Sequence, residues 1–379
     1  VLGRGFSSSC GLLGVDCSGA EIRLLQMRFR HGQWGVTHAA SMPAAPILDT
    51  DDLTAFTERL RSVRSTGGFT ARRAVVVLPR EYVLVQSVRL PLMSEQETDE
   101  AVRWEASQRF SREPEQLEVD CIRTGAEIKG QDQRQEVLIV ASERARALPL
   151  LWALVESGLR PIAAETSFTA VARAVSLRLR RASDVDTVRV VVEMGRSGTT
   201  VMVLRGDQIA FCKPLTFGGT AFDEAASEHL GVDLDAAREI RLARINAGAG
   251  DAAGTASADP ETDRVVYESI RPCIGQLAKE ITLALRYYGV TFRGNAPSAI
   301  ILAGPEAGEP HLAEVLERAC RLPVMIDDAH GSLATLHPLI HEHLNRCAGS
   351  VQAWAAAIGA CAREAPRRTT NDSSTRAAA

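Results

Sequence analysis

Strong net charge is missing from this sequence. Its 379 residues carry only −4 overall, which supplies no electrostatic footprint for a nucleic-acid backbone. Long hydrophobic runs are missing too. No apolar stretch reaches the roughly 18 residues that a membrane span needs. The longest, residues 74–79 and 148–155, suit a buried strand and a core helix. Cys10, Cys17, Cys121, Cys212, Cys273, Cys320, Cys347 and Cys361 stand scattered, none at C-x-x-C spacing. They read as reduced, mostly buried thiols of a cytosolic protein. Residues 1–13 lack the charged-then-apolar order of a secretory signal. What is present is 45% hydrophobic and 24% charged, an ordinary globular composition with enough chain for two cores.

The organisation is a repeat. Residues 12–17 form an apolar strand, 18–20 a small-residue turn, 21–28 a second strand and 34–41 a third. A helix fits 51–63, with acids at its start and arginines at its end, and 73–78 is a β-branched strand stopped by Pro79. The same order returns with strands at 188–194, 199–204 and 208–214, a helix at 221–230 and a strand at 298–303. The interval from Asp16 to Glu193 is 177 residues (193 minus 16), a domain duplication rather than a solenoid period. Between the copies, 80–159 is an extra block with strands at 82–90, 117–124 and 136–140 and helices at 94–110 and 143–157. Ser94 and Glu97 form a capping box, and Thr98, Val102, Ala106 and Phe110 make a buried stripe. A further helix fits 167–181, with Arg178, Arg180 and Arg181 at its end. Residues 247–262 and 364–379 lack the apolar content that offsets the entropy of ordering.

The chemistry lies in two turns. Asp16-Cys17-Ser18-Gly19-Ala20 and Glu193-Met194-Gly195-Arg196-Ser197-Gly198-Thr199 each end an apolar strand on an acid and continue into small residues. Backbone amides in such turns can cradle phosphates, and small residues permit the close approach. Either turn alone reads as plain hairpin chemistry. The pair, in matched positions of a duplicated topology, indicates a two-lobed α/β fold of the actin-like ATPase (ribonuclease H-like) type. Other candidates read as structural. Trp104 and Trp152 are expected to be core anchors. His337, His341, His343 and Cys347 fit a solvated helix face better than a metal site, because Pro338 breaks the helix start and the converging ligands are missing.

The inserted block carries a resemblance. Val76-Val77-Leu78-Pro79, Val83, Leu90-Pro91-Leu92-Met93-Ser94-Glu95, Ala101, Trp104-Glu105 and Gly158-Leu159-Arg160-Pro161 resemble the PilM-type pilus assembly proteins, actin-fold relatives of the cell-division protein FtsA. So do Glu165, Phe168, Phe217-Gly218-Gly219, Leu277, Glu280-Ile281, Leu285 and Tyr287-Tyr288. The resemblance runs from about 14 to 362. It implies a first lobe of residues 10–79 and 160–185, an FtsA/PilM-type subdomain of 80–159 inserted in it, and a second lobe of 186–363. It implies an ATP and Mg site drawn from Asp16, Ser18, Gly19, Glu193, Gly195, Ser197, Thr199, Gly218, Gly219, Arg241 and Gly304, with Mg near Asp16 and Glu193. It also implies a cytoplasmic position under the inner membrane and a single-span, PilN-like membrane partner. The partner's cytoplasmic tail is expected to dock between the first lobe and the insert. Self-association stays open.

Departures from the family pattern bear on that site. Ser18, Ala20 and Glu21 replace a Gly and hydroxyl ligands, Arg23 replaces a Lys, and Glu193 replaces an Asp. On a later helix Arg238 and Arg241 replace a Glu and a Lys. Gly304-Pro305-Glu306 replaces a run of glycines, so an N–H is lost. A Glu306 carboxylate about 4–6 Å from a phosphate would add roughly 3–4 kcal/mol of repulsion at an effective dielectric near 20. The expectation is therefore a scaffold with a weakened nucleotide site. An active Mg-ATP switch and an FtsA-like division protein are the alternatives, although residues 363–379 lack the amphipathic face of a membrane-targeting helix.

Overall fold

The structure is a computed structural model, and it describes residues 11–30, 33–44, 53–128, 134–177, 179, 182–248, 260–292, 295–327 and 350–364. Two five-stranded sheets share one topology. The first contains β1 (Leu13–Asp16), β2 (Glu21–Arg30), β3 (Gln33–Pro43), β4 (Arg73–Val77) and β8 (Arg160–Glu165), in the order β3-β2-β1-β4-β8. The second contains β9 (Val188–Met194), β10 (Thr199–Arg205), β11 (Gln208–Leu215), β12 (Ile300–Ala303) and β13 (Val324–Ile326), in the order β11-β10-β9-β12-β13. In each, two hairpins place three strands antiparallel and two later strands join in parallel. The duplication expected from the turns is thus a duplication of sheet order.

The central strands β1 and β9 are buried along their whole length. Their largely apolar sequences follow from helices covering both faces of each sheet, Arg189 being the buried exception in mid-run, with Nη2 donating to the Gly206 carbonyl at 3.1 Å. On one face of the first sheet lie α1 (Thr54–Thr66) and α3 (Arg144–Glu156), which bring Phe56, Leu60, Leu150 and Leu154 onto Leu13, Val15 and Val76. The second sheet is covered by α5 (Gly219–Leu230), α7 (Pro260–Phe292) and α8 (Leu312–Cys320), through Phe222, Ile274, Ile281 and Leu316. Between the two sheets run α4 (Ser167–Ser176) and α9 (Ala355–Cys361). Phe168, Val171, Ala355 and Ala360 touch a core that includes Val75 and Val77 of one sheet and Val191, Met202 and Ile301 of the other. The lobes therefore share one apolar layer.

The insert is a three-stranded antiparallel sheet, with β5 (Val83–Pro91), β6 (Leu117–Ile128) and β7 (Arg134–Glu143) in the order β5-β7-β6. Along β7, Val137, Ile139 and Ala141 face α2 (Glu95–Phe110), while Leu138 and Val140 join the core shared with the second lobe. The capping box is present: Ser94 accepts from the Glu97 amide, and the Glu97 carboxylate accepts from the Ser94 N–H at 2.9 Å.

Several elements differ from the sequence expectation. The segment 143–157, placed in the insert by sequence, becomes α3 in the first-lobe core. The last helix of the expected second lobe, α9, packs on the first sheet through Ile358 and Cys361 against Leu25 and Met27. α4 stops at Ser176, short of 181. Part of 247–262 is helical, since α6 (Leu234–Gly248) runs into it and α7 starts at Pro260, where a proline is tolerated and Glu261 and Asp263 suit the helix dipole. β8, which carries Pro161, has no counterpart among the strands expected from sequence; a proline is accepted there because β8 lies at a sheet edge. Trp104 and Trp152 are not core anchors: they are 62% and 63% exposed. Cys10, Cys347, the histidines at 337–343 and the arginines at 178, 180 and 181 lie outside the described residues.

Candidate functional site

The equivalent strands β1 and β9 carry their acids to the same end of each sheet. Asp16 pairs with Val77 and Arg23, and Glu193 with Thr200 and Ala303. Because the lobes face each other across α4 and α9, both acids line one cleft of about 460 Å³ counted to its open mouth. Ser18, Gly19, Gly195, Ser197 and Gly304 line it as well, with Arg23, Arg80, Arg196 and Gln352. Asp16 accepts from the Ser18 amide at 2.9 Å and its hydroxyl at 2.6 Å. Burial still raises the Asp16 carboxyl above its usual range, against the opposing pull of Arg23. Burial likewise pushes Glu193 up to about 7, although Ser167 and Arg80 favour its charge. Glu193 Oε2 is buried without a hydrogen-bond partner.

The second turn is engaged from the start of the insert. Arg80 follows β4 and crosses the cleft, where Nη1 donates to Thr200 Oγ1 at 3.0 Å and Nη2 to the Leu215 carbonyl at 3.1 Å. Its guanidinium lies on the open side of Gly198, where a Cβ would stand 2.6 Å from Nε. Ser197 Oγ donates to Glu81 Oε1 at 2.9 Å. Thr199 is buried beside them, and its Oγ1 has no hydrogen-bond partner. Neither Arg80 nor Glu81 was singled out in the sequence. The available signal was a charged pair directly after the strand-ending Pro79.

The nucleoside side of the expected site is arranged differently from the expectation. Gly218 and Gly219 begin α5 under the second turn, and the Gly219 and Thr220 amides donate to the Gly195 and Arg196 carbonyls at 3.1 and 2.9 Å. Arg241 does not reach the cleft. It is fully buried, with Nε donating to Asp223 at 2.8 Å, Nη2 to Glu306 at 2.7 Å and Nη1 to Glu309 at 2.6 Å. Burial opposes its charge, but Glu306, Glu309 and Asp223 more than reverse this and hold the guanidinium protonated. Glu306 is consequently no free charge aimed at a phosphate, because Arg241 draws it inward. Its carboxylate fills the space beside Gly219, where a Cβ would meet it at 2.4 Å. Gly304 has φ +94, and a Cβ there would stand 2.5 Å from the Met194 carbonyl, so the turn requires glycine. Its amide donates to the Gln352 carbonyl at 3.2 Å.

Among the described residues no three His, Cys, Asp or Glu side chains cluster as a metal site, and no helix is long and apolar enough to cross a membrane. The family described as type IV pilus assembly protein PilM matches residues 14–364. The chain belongs to this family. Of solved structures, the PilM-PilN type IV pilus biogenesis complex is similar at TM-score 0.73 and 22% identity, covering 93% of this chain and 98% of that one. The ethanolamine utilization protein EutJ from Carboxydothermus hydrogenoformans is similar at TM-score 0.53 and 12% identity, covering 93% and 89%. At these identities the likeness establishes the fold, which is the two-lobed actin-like ATPase fold.

Proposed function

We propose that this PilM-family chain is a scaffold of a type IV pilus or related secretion assembly that works without a bound nucleotide. It holds the cytoplasmic tail of a PilN-like, single-span inner-membrane partner, and that partner keeps it at the cytoplasmic face. The observation that carries this reading is a groove of the insert at the start of α3, about 680 Å³ counted to its open mouth, lined by Arg103, Leu117, Val119 and Arg144 together with Glu115 and Glu118. Its wall is β6, an edge strand of the insert sheet. An edge strand offers backbone donors and acceptors to an extended peptide, and side-chain pockets select its sequence. Titration of the partner's amino-terminal peptide should give micromolar affinity. Arg103→Glu combined with Arg144→Glu should weaken it about tenfold or more, near 1.4 kcal/mol. A tail that does not bind, or binds this double variant equally well, would remove the docking reading.

The residues present do not fit ATP as arranged here. Arg80 covers Gly198, Glu306 fills the space at Gly219, and Arg241 is fully buried among three carboxylates rather than lining the cleft. A second reading, an active Mg-ATP switch, is favoured by one observation: Asp16 and Glu193 share the cleft, as a hydrated Mg held by one or two carboxylates would require. Calorimetry with Mg-ATP separates the two. Absence of heat at millimolar nucleotide supports the scaffold, and micromolar binding with turnover that Glu193→Ala abolishes supports the switch.

A further inference from the structure

Three elements of the second lobe converge beside the cleft: the start of α5, the middle of α6 and the turn between β12 and α8. The family resemblance sets a residue of each, Gly219, Arg241 and Gly304, around one nucleotide. In this chain the side chains of these elements meet one another instead. Arg241 of α6 donates through all three guanidinium nitrogens, to Asp223 of α5 and to Glu306 and Glu309 of the turn, at 2.6–2.8 Å. Its guanidinium carbon also lies 5.5 Å from the centre of the Phe222 ring of α5. Arg244, three residues on, donates to Glu309 at 3.1 Å and to Asp263 of α7 at 2.8 Å.

The packing there is closed. Asp223, Arg241, Glu306 and Glu309 are each 2% exposed or less. None of their buried nitrogens and oxygens lacks a partner, whereas Glu193 Oε2 and Thr199 Oγ1 do. A Cβ on Gly219 would stand 2.4 Å from Glu306 Cδ and 2.6 and 2.8 Å from its two oxygens, so the carboxylate lies directly on the glycine backbone. The turn beneath it is pinned: the Glu306 amide donates to the Met194 carbonyl and the Glu309 amide to the Glu306 carbonyl, both at 3.2 Å.

We propose that Glu306 and Arg241 form an internal plug, which fills the nucleoside side of the cleft with the chain's own side chains and shuts it by volume rather than by repulsion. The plug rests on the nucleotide-free reading above and names what enforces it. A glycine without a Cβ lets another group approach its backbone closely, and at Gly219 that group is the Glu306 carboxylate. Arg241 opposes the charge of Glu306 at 2.7 Å, so a ligand meets its bulk first. The same contacts tie α5, α6 and α7 to the turn after β12, and the second lobe therefore keeps its arrangement with no ligand present.

Two measurements test the plug, and the first uses no nucleotide. Gly219→Ala should lower the melting temperature of the full chain by about 2–4 °C, because its Cβ meets Glu306. In the Glu306→Ala chain the same change should lower nothing, since alanine suits a helix better than glycine. An equal loss in both backgrounds overturns the proposal, because Glu306 then does not occupy that space. The second measurement is saturation-transfer NMR with millimolar adenosine. The Glu306→Ala chain should give transfer to the base protons. The parent, Glu306→Gln and Glu306→Ala combined with Gly219→Ala should give none. Glutamine keeps the volume and removes the charge, so transfer as strong with Glu306→Gln overturns the plug in favour of repulsion. Silence from a cooperatively melting Glu306→Ala chain overturns it as well. Glu306→Ser, whose hydroxyl can accept from Arg241, takes the place of the alanine variant if that chain does not melt cooperatively. Failure of the nucleotide-free reading is seen separately, as heat from Mg-ATP with the parent chain, whereas the Gly219 comparison judges the plug without any nucleotide.

Discussion

Arg241 and Glu193 are both buried and ionisable, yet they pull stability in opposite directions. Around Arg241 the carboxylates of Asp223, Glu306 and Glu309 converge, and each is shielded from water. Removing the cation leaves three buried acids facing one another, the situation in which breaking a buried ion pair costs about 3–5 kcal/mol. Arg241→Met should therefore lower the unfolding free energy read from urea titration by an amount in that range. Glu193 has no such partner for Oε2, and its carboxyl titrates near 7 rather than near its ordinary 4.5. Folding thus favours the protonated form. The benefit is complete below about pH 4.5 and is lost as pH rises through 7, which amounts to about 3 kcal/mol. Glu193→Gln should abolish this slope, so that the variant gains on the parent chain between pH 5 and pH 8 in chemical denaturation.

At the scale of elements, the inserted helix α2 was legible because its start signal is local. Ser94 and Glu97 lie three residues apart and satisfy each other's backbone donors. Ser94→Ala should cost about 1 kcal/mol and speed amide exchange in the first turn of α2 while leaving β7 unchanged. α3 was legible as a helix but not in its allegiance. Its sequence, with two apolar faces, does not say which is covered, and the contact with α1 made inward residues of Leu150 and Leu154 and outward ones of Leu148 and Trp152. β8, by contrast, has no counterpart among the strands expected from sequence. Pro161 forbids a central strand, and only the edge position found in three dimensions makes it acceptable.

For the whole molecule, the shared layer of α4 and α9 and the crossing made by Arg80 and Glu81 hold the two lobes together. Charged hydrogen bonds of the Arg80 kind contribute about 1.5–3 kcal/mol each. Arg80→Ala with Glu81→Ala should loosen the cleft without unfolding either lobe. Small-angle scattering should then show a larger radius of gyration, and amide exchange should rise at 195–199. An unchanged radius and exchange would mean that α4 and α9 suffice by themselves.

The duplicated strand–turn–strand units, the acids that end them and the presence of an insert were determined by sequence alone, because alternation, turn residues and caps act over a few neighbouring positions. Tertiary structure alone decided how those parts meet. Glu306 reads as a repellent charge in the chain and becomes the partner of Arg241, 65 residues away, because packing of α6 against the turn after β12 brings them to 2.7 Å. Trp152 reads as core and stands in solvent, because the neighbours that would have buried it chose the other face of its helix. Charge pairing and burial depend on distances through space, and the order of residues does not state them.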